Sequence, residues 1–501
     1  MSLLGIDIGT TGCKAVAFDE EGRILASAYR EYPLHFPRPG WIELDSARVM
    51  RAAREAIREV AGATRKDPIR ALSVAAQGEA VTPVGRNGQF LHNAIVTFDD
   101  RTAPWVAWWE ERIPRQQIFE ITGMPLHGMY TASKILWWKK ERRDVFRKAH
   151  YFLCYSDLLF YQLGLEPAID SSLASRTMLL DVDHVEWSPK LLKIAGLAPE
   201  RLARVYPPGT AIGELGSKAA RSFGLPRGVA IVTGGHDQPC GALGAGVVEP
   251  NVGLYATGTV ECITPALGTR VIHPQLLENN IACYPHVVTG LYVALTFNFS
   301  GGSLLRWYRD VLGAEETARA RETGRDVYAL LIAQAAKEPT DLLLLPHFTS
   351  TGTPHFDTQS KGVLAGLRLS TTKGEIIRAI LEGITYEMAL NVQVLRECGA
   401  SISSFRATGG GAKSAFWMQL KADLLGKPVS AMRVPEAVCL GAAILAGTAI
   451  GVYPNAREAA LRISRTERTY RPNPKRSRFY AKRFALYREL YPALREWLHR
   501  L

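Results

Sequence analysis

The chain has no Cys-x-x-Cys pair, and its seven cysteines, an odd number, are scattered along 501 residues. That argues against a disulfide framework and a structural zinc site, and a reducing, cytoplasmic location is expected. No uninterrupted apolar run approaches a membrane span, and the first residues enter a strand pattern instead of a basic leader with an apolar core. Neither export nor membrane association is therefore expected. No low-complexity segment interrupts the chain. Its glycine-rich turns match neither Gly-x-x-x-x-Gly-Lys-Ser/Thr nor a full Gly-x-Gly-x-x-Gly with an acidic residue about 20 positions on, so ordinary P-loop and dinucleotide-binding readings lose ground.

Acidic residues are outnumbered, 48 against 60 Lys and Arg, for a net charge of +12. Such an excess can serve phosphate binding. Much of it, however, lies in "RTYRPNPKRSRFYAKRFALYRELYPALREWLHRL", where Tyr480, Phe484, Tyr487, Tyr491, Leu494 and Leu498 recur at steps of three and four. That spacing predicts one apolar helix face with a solvated basic face behind it. No clustered basic and aromatic strand surface appears, so no nucleic-acid partner is expected. Anionic small molecules remain compatible with the charge.

A chain of this length exceeds one ordinary core, so two domains with a cleft between them are expected. Residues 3 to 33 read as a three-strand meander opening on "LLGIDIGTTGCKAVAFDEEGRI". Asp7 lies inside its first apolar strand, and a carboxylate there needs an ionic neighbour. A fainter echo, "NVGLYATGTVECITPAL", again sets Gly-Thr between apolar strands, which suggests an internal duplication and a boundary near Gly246. In "AIVTGGHDQPCGALGAG" an apolar strand ends at Gly234-Gly235 and delivers His236, Asp237 and Gln238, where α/β proteins place functional groups. Asp237 is either a general base or the cap of the next helix. "SGGS" at 300 to 303 and "TGGGAKS" at 408 to 414 each precede a helix, a setting suited to phosphate but common elsewhere.

In this order the pieces resemble the FGGY carbohydrate kinases, the family of glycerol kinase and xylulokinase. The resemblance runs from "GIDIGTT" through "GGHDQ", "YATGT", "TGGGAKSAFWMQLKADLLG" and "CLGAAILAG" to the terminal helix. Its most specific piece is "GVLAGLRLSTTKGEIIRAILEG", and the region around Lys134 and Trp137 fits too, with Trp138 replacing an aliphatic residue. The resemblance implies a two-domain, ribonuclease H-like α/β fold of the hexokinase, actin and Hsp70 group, with a sugar-binding domain over 1–246 and a nucleotide-binding domain over 247–501. It implies ATP and Mg²⁺ as cofactors and Asp237 as general base, for which a carboxylate of near-ordinary pKa suffices. Thr10, Thr11, Lys14 and Thr259 would meet the phosphates, Gly302, Gly410, Gly411, Ala412 and Lys413 the nucleotide, and Asp7 with Asp237 the metal.

For the acceptor, the resemblance points to Gln77, Glu79, Asp99, Arg101 and Gln238. Glycerol kinases carry Gln-Arg-Glu and xylulokinases Gln-Met-His where this chain has Gln77-Gly78-Glu79, and Met129 replaces a glycerol-contacting Tyr. Glycerol is therefore disfavoured. Gly78 is expected to make room for a longer substrate, and Glu79 to accept hydrogen bonds from neighbouring hydroxyls. Asp99 and Arg101 match the family's Asp-x-Arg, although Thr97 replaces the usual Trp, and they either touch substrate or brace the pocket. The default acceptor is a ketopentose such as D-xylulose; the alternatives are a fuculose-, ribulose- or erythritol-like compound, or a non-catalytic nucleotide sensor of the same fold. The partners are then a small sugar or polyol and MgATP, with a homodimer as one open assembly.

Overall fold

Strands Ser2–Ile8 and Gly12–Phe18 form an antiparallel hairpin with Asp7 directly opposite Lys14, and Ile24–Glu31 extends it antiparallel, in a computed structural model describing residues 1–501. The expected meander is present. The first two strands read as nearly continuous apolar runs because helices cover both faces of their sheet. Helix Ser46–Ala63 starts where the Asp45 carboxylate accepts from the N–H groups of Ala47 and Arg48. It returns the chain to Ile69–Ala76, which lies parallel to Ser2–Ile8. Ala230–His236 adds in parallel and Ala211–Glu214 closes the edge, for six strands.

A seven-stranded sheet repeats the plan. Val252–Thr257 and Glu261–Leu267 form its hairpin, and Val252–Thr257 lies parallel to Ser404–Thr408, as Ser2–Ile8 does to Ile69–Ala76. The duplication faintly legible at the two Gly-Thr turns is thus a duplication of topology. The architecture is the expected two-domain α/β fold, and Asp7 and Lys14 of the first hairpin line a common cavity with the Gly258-Thr259 turn of the second.

Two helices join the sheets. Asp237–Gly244 follows the last central strand of the first sheet, and Ala437–Ala449, from far along the chain, lies across that same sheet and against Asp237–Gly244. Glycines permit this approach. A Cβ on Gly5 would stand 1.8 Å from the Cys439 carbonyl oxygen, and one on Gly441 would stand 1.9 Å from that of Cys240. Around the crossing Leu3, Val16, Phe18, Leu243, Ile444 and Leu445 form one continuous core.

The terminal helix Pro474–Leu498 starts on the Asn473 cap with Pro474 in its first turn. It docks on the second half of the chain, burying Tyr480, Tyr487, Tyr491 and Leu498, with Phe484 and Leu494 half-buried. The tyrosine hydroxyls donate to Glu382, Glu387 and Asp357 at 2.8, 2.5 and 2.5 Å, so each ring is buried with its polar tip paired. All seven cysteines are free and buried. No helix is long and apolar enough to cross a membrane.

Candidate active site

The first hairpin turn is fastened from below. Thr10 Oγ1 donates to Gln77 Oε1 at 2.8 Å, Gln77 Nε2 donates to the Gly9 carbonyl at 3.1 Å, and the Tyr32 hydroxyl donates to the same carbonyl at 2.6 Å. Gln77 therefore braces the hairpin, where the sequence suggested an acceptor contact, and Thr10 is committed to it. Thr11 is exposed at the tip. Across the strands, Lys14 Nζ lies 2.6 Å from Glu436 Oε2. Burial works to lower the Lys14 pKa, but the Glu436 hydrogen bond and charge hold it above the ordinary value.

Asp7 Oδ1 is buried without a hydrogen-bond partner. Burial pushes the Asp7 pKa up to about 7, with Lys14 pulling it down and Glu436 adding to the rise. The ionic neighbour anticipated for Asp7 is thus Lys14, and Lys14 is shared with Glu436.

The second hairpin is tied to helix Gly302–Leu312, since the Gly302 and Ser303 N–H groups donate to the Gly258 and Thr259 carbonyls at 2.9 and 3.1 Å. Gly302 thus fastens the turn. Gly410 and Lys413 stand at the mouth of a cavity of about 420 Å³ shared with Asp7, Lys14, Thr259 and Glu436. Gly411 and Ala412 depart from the expected lining. A Cβ on Gly411 would meet Trp417 and Thr257, and Ala412 packs against the second core, so both turn inward. Gln238 lines this same cavity, and its Oε1 is buried with no hydrogen-bond partner.

Asp237 opens helix Asp237–Gly244, whose N-cap is His236 and which has no side-chain cap, so the capping alternative does not describe it. Its Oδ1 is buried, makes no hydrogen bond and lies 3.2 Å from His236 Nε2. Burial, followed by the charges of Asp7 and Glu79, pushes the Asp237 pKa up to about 7 against the pull of Gln238. The rise exceeds the near-ordinary value that would suffice for a base, because two further carboxylates, Asp7 and Glu79, stand near enough to add to it. Burial, and then Arg176, hold the His236 pKa well below the usual range, and its Nδ1 pairs with the Tyr284 hydroxyl at 2.8 Å.

On the far side of Asp237 stands Glu79, buried in a left-handed conformation with φ 64°. Its Oε1 accepts from Arg176 Nε at 2.6 Å, its Oε2 from Thr97 Oγ1 at 2.8 Å, and its carbonyl from Thr131 Oγ1 and Lys134 Nζ at 3.0 and 2.9 Å. Lys134 is pushed down to about 8 by burial, with Glu79 countering, and His127 nearby is pushed down to about 4, again by burial. Gly78 does not enlarge the acceptor space: a Cβ there would lie 3.1 Å from His236 Nε2 and 3.2 Å from Arg176 Nε, so its absence makes room for protein.

Asp99 and Arg101 take the bracing alternative. Asp99 receives Arg101 Nε and Nη2 at 2.8 and 2.7 Å and the Ile42 N–H at 2.6 Å, while Arg101 Nη1 reaches Glu43 at 2.8 Å. Every charged group is spent within the protein. Sequence reasoning missed Arg176 and Glu436, the partners of Glu79 and Lys14, because neither lies in a motif or near its partner in sequence.

Two family models together span most of the chain. The FGGY family of carbohydrate kinases, N-terminal domain, matches residues 2–244, and its C-terminal domain matches residues 253–450. The autoinducer-2 kinase of Escherichia coli strain K12 is 32% identical over 492 residues, covering 95% of this chain and 92% of that one. A xylulose kinase of Staphylococcus epidermidis is 27% identical over 500 residues, covering 98% and 96%. The crystal structure of gluconate kinase from Lactobacillus acidophilus superposes with a TM-score of 0.89 at 27% identity, covering 98% of each chain.

Proposed function

The chain belongs to the FGGY family of carbohydrate kinases, and from that premise we propose that it moves the γ-phosphoryl group of ATP to a hydroxyl of a small neutral ketose or polyol, with Asp237 as general base. One observation carries this reading: Asp237, at the end of the central strand Ala230–His236, holds a buried Oδ1 with no hydrogen-bond partner, and Asp7 of the phosphate hairpin and Glu79 of the acceptor end both act on its charge. The acceptor oxygen loses its proton to Asp237 as its bond to phosphorus forms, and the bond from phosphorus to the bridging oxygen breaks, releasing ADP. Lys14, Thr259 and the hairpin N–H groups hold the phosphates, and Gly410 and Lys413 edge the nucleotide. The domain division proposed is 1–246 and 247–501, in a cytoplasmic protein.

The orphaned Oδ1 atoms of Asp7 and Asp237 fit a hard divalent cation. A pair of carboxylates suits Mg²⁺, an ion commonly held by one or two carboxylates together with substrate phosphates and waters. When bound, it supplies neutralisation of phosphate charge.

A neutral acceptor follows from the charge count at Glu79. Arg176 is neutralised by the Glu79 carboxylate, and Lys134 is fully buried against the Glu79 carbonyl, so neither cation is presented to a substrate carboxylate. This favours a ketopentose such as D-xylulose over an aldonate. The 32% identity to an autoinducer-2 kinase supports a second reading, autoinducer-2 as acceptor. A coupled ADP-release screen over D-xylulose, D-ribulose, L-fuculose, erythritol, gluconate and autoinducer-2 tests both. Turnover only with gluconate overturns the neutral-acceptor reading, and ADP release with none of the six overturns the proposed acceptor class.

A further inference from the structure

A cavity of about 670 Å³ opens in the tryptophan-rich lobe and shares no residue with the cavity between the hairpins. Neither Glu79 nor Asp237 lines it. Trp41, Trp105, Trp108 and Trp137 supply its aromatic walls, with Trp41 and Trp137 edge to face at 5.4 Å and Trp105 and Trp108 at 5.6 Å. Steeply inclined pairs, at 88° and 64°, leave ring faces turned in more than one direction, a surface to which the flat apolar face of a ring can pack.

Its charge is mostly positive. Arg101 forms part of the wall, with its guanidinium 4.0 Å from the Trp41 ring centroid, and is neutralised by Asp99 and Glu43. Three more cations, Arg38, Lys140 and Arg142, face a single lining carboxylate, Glu141. Arg38 is exposed and lies 4.8 Å over the Trp41 ring. Lys140 holds Glu141 only at 3.8 Å, and Arg142 meets Asp144 at 3.2 Å; all four side chains are largely solvated, where such pairs are weak and a phosphate can replace the carboxylate.

We propose that this cavity is a second ligand site, taking a phosphate monoester carried on a ring, either a sugar phosphate or a nucleotide, with the ring against the tryptophans and the phosphate on Arg38 and Arg142. The site also touches the acceptor end through a short bonded path. Arg101 in its wall fixes Asp99, and Thr97, two residues earlier, holds the Glu79 carboxylate.

The test is a tryptophan fluorescence titration of the full chain with MgADP saturating, using glucose 6-phosphate, AMP, glucose and inorganic phosphate as separate probes. It is repeated in the double variant Arg38→Gln/Arg142→Gln, at two exposed positions, with circular dichroism used to check that the fold is unchanged. We expect glucose 6-phosphate or AMP to give a saturable change with a midpoint below about 1 mM, at least about tenfold weaker in the double variant, and whichever probe saturates identifies the source of the ring. Glucose and inorganic phosphate should each bind at least about tenfold more weakly, since each supplies half of the recognition. The proposal is overturned if neither phosphate ester saturates by about 10 mM, if the double variant binds as tightly as wild type, or if inorganic phosphate alone binds as tightly as the esters.

Discussion

Lys14 and Glu436, separated by 422 positions in sequence, meet at 2.6 Å over the cavity between the two hairpins. The pair is part-exposed, so it contributes little to stability, on the order of 0.2–1 kcal/mol. Its importance is positional, because it aims the Lys14 ammonium at the place proposed for the transferred phosphate. Lys14→Met keeps the stem and removes the charge. Turnover at saturating MgATP should fall at least about tenfold, with the melting temperature nearly unchanged. Glu436→Gln keeps an amide oxygen for the Lys14 ammonium to donate to, so the ammonium should still be aimed and most turnover retained. Coupled assays on the two variants check this, and equal losses in both would transfer the role from the cation to the pair.

Asp237→Asn preserves shape and still orients a hydroxyl but cannot accept its proton. Turnover should drop by about two to four orders of magnitude while calorimetry finds both ligands still bound. Turnover within a few-fold of wild type would remove Asp237 from the role of base.

The raised pKa values of Asp7 and Asp237, each about 7, give two pH effects of opposite consequence. The base must be ionised, so kcat/KM should fall as pH drops through about 7. Stability runs the other way. A buried carboxylate titrating above its unfolded value binds more protons in the native state, so the ligand-free protein should lose stability as pH rises from about 4 to about 7. Thermal melts over that range should show the slope, and Asp7→Asn should make it shallower, since Asp237 and Asp170, also raised by burial, still titrate there. A flat wild-type profile would contradict the burial of these groups as ionisable acids.

Arg176→Met should be the most damaging change at the acceptor end. It strands the Glu79 carboxylate in the interior, at a cost of about 3–5 kcal/mol, read as a large fall in melting temperature. Adding Glu79→Gln should recover much of that stability without restoring sugar turnover. A double variant no more stable than the single would mean that packing, not charge, dominates.

Glu79→Ala should lower kcat/KM for the acceptor by an amount corresponding to about 1.5–3 kcal/mol and leave nucleotide affinity near wild type. The measurement is steady-state kinetics against each substrate in turn, and unchanged acceptor kinetics would remove Glu79 from recognition.

What was legible in the sequence was local. The first hairpin, the strand end that delivers Asp237, and the apolar face of the terminal helix are written in runs of adjacent residues with the right period, so they could be read without coordinates. What escaped reading was set by distance. Arg176 reaches Glu79 across 97 positions, and no pattern near either residue announces the other. Gly78 shows the same limit from the opposite direction, because the missing side chain looked like space for a substrate until His236 and Arg176 were found filling it. Asp99 and Arg101 carried a recognisable motif whose role depended on Glu43 and Ile42, residues that the motif does not contain.

The helix Ala437–Ala449, laid across the first sheet with the Gly5 and Gly441 approaches as its seats, bears on how the protein is made. During synthesis the strands of that sheet leave the ribosome first, yet one of their covering layers is among the last segments to appear. The amino-terminal half therefore waits with an apolar strip around Leu3, Val16 and Phe18 open to solvent until residue 449 has been made. Such a nascent chain is a natural client for chaperones. For the same reason, cutting the gene at the midpoint should yield two fragments that become soluble only when they are produced together.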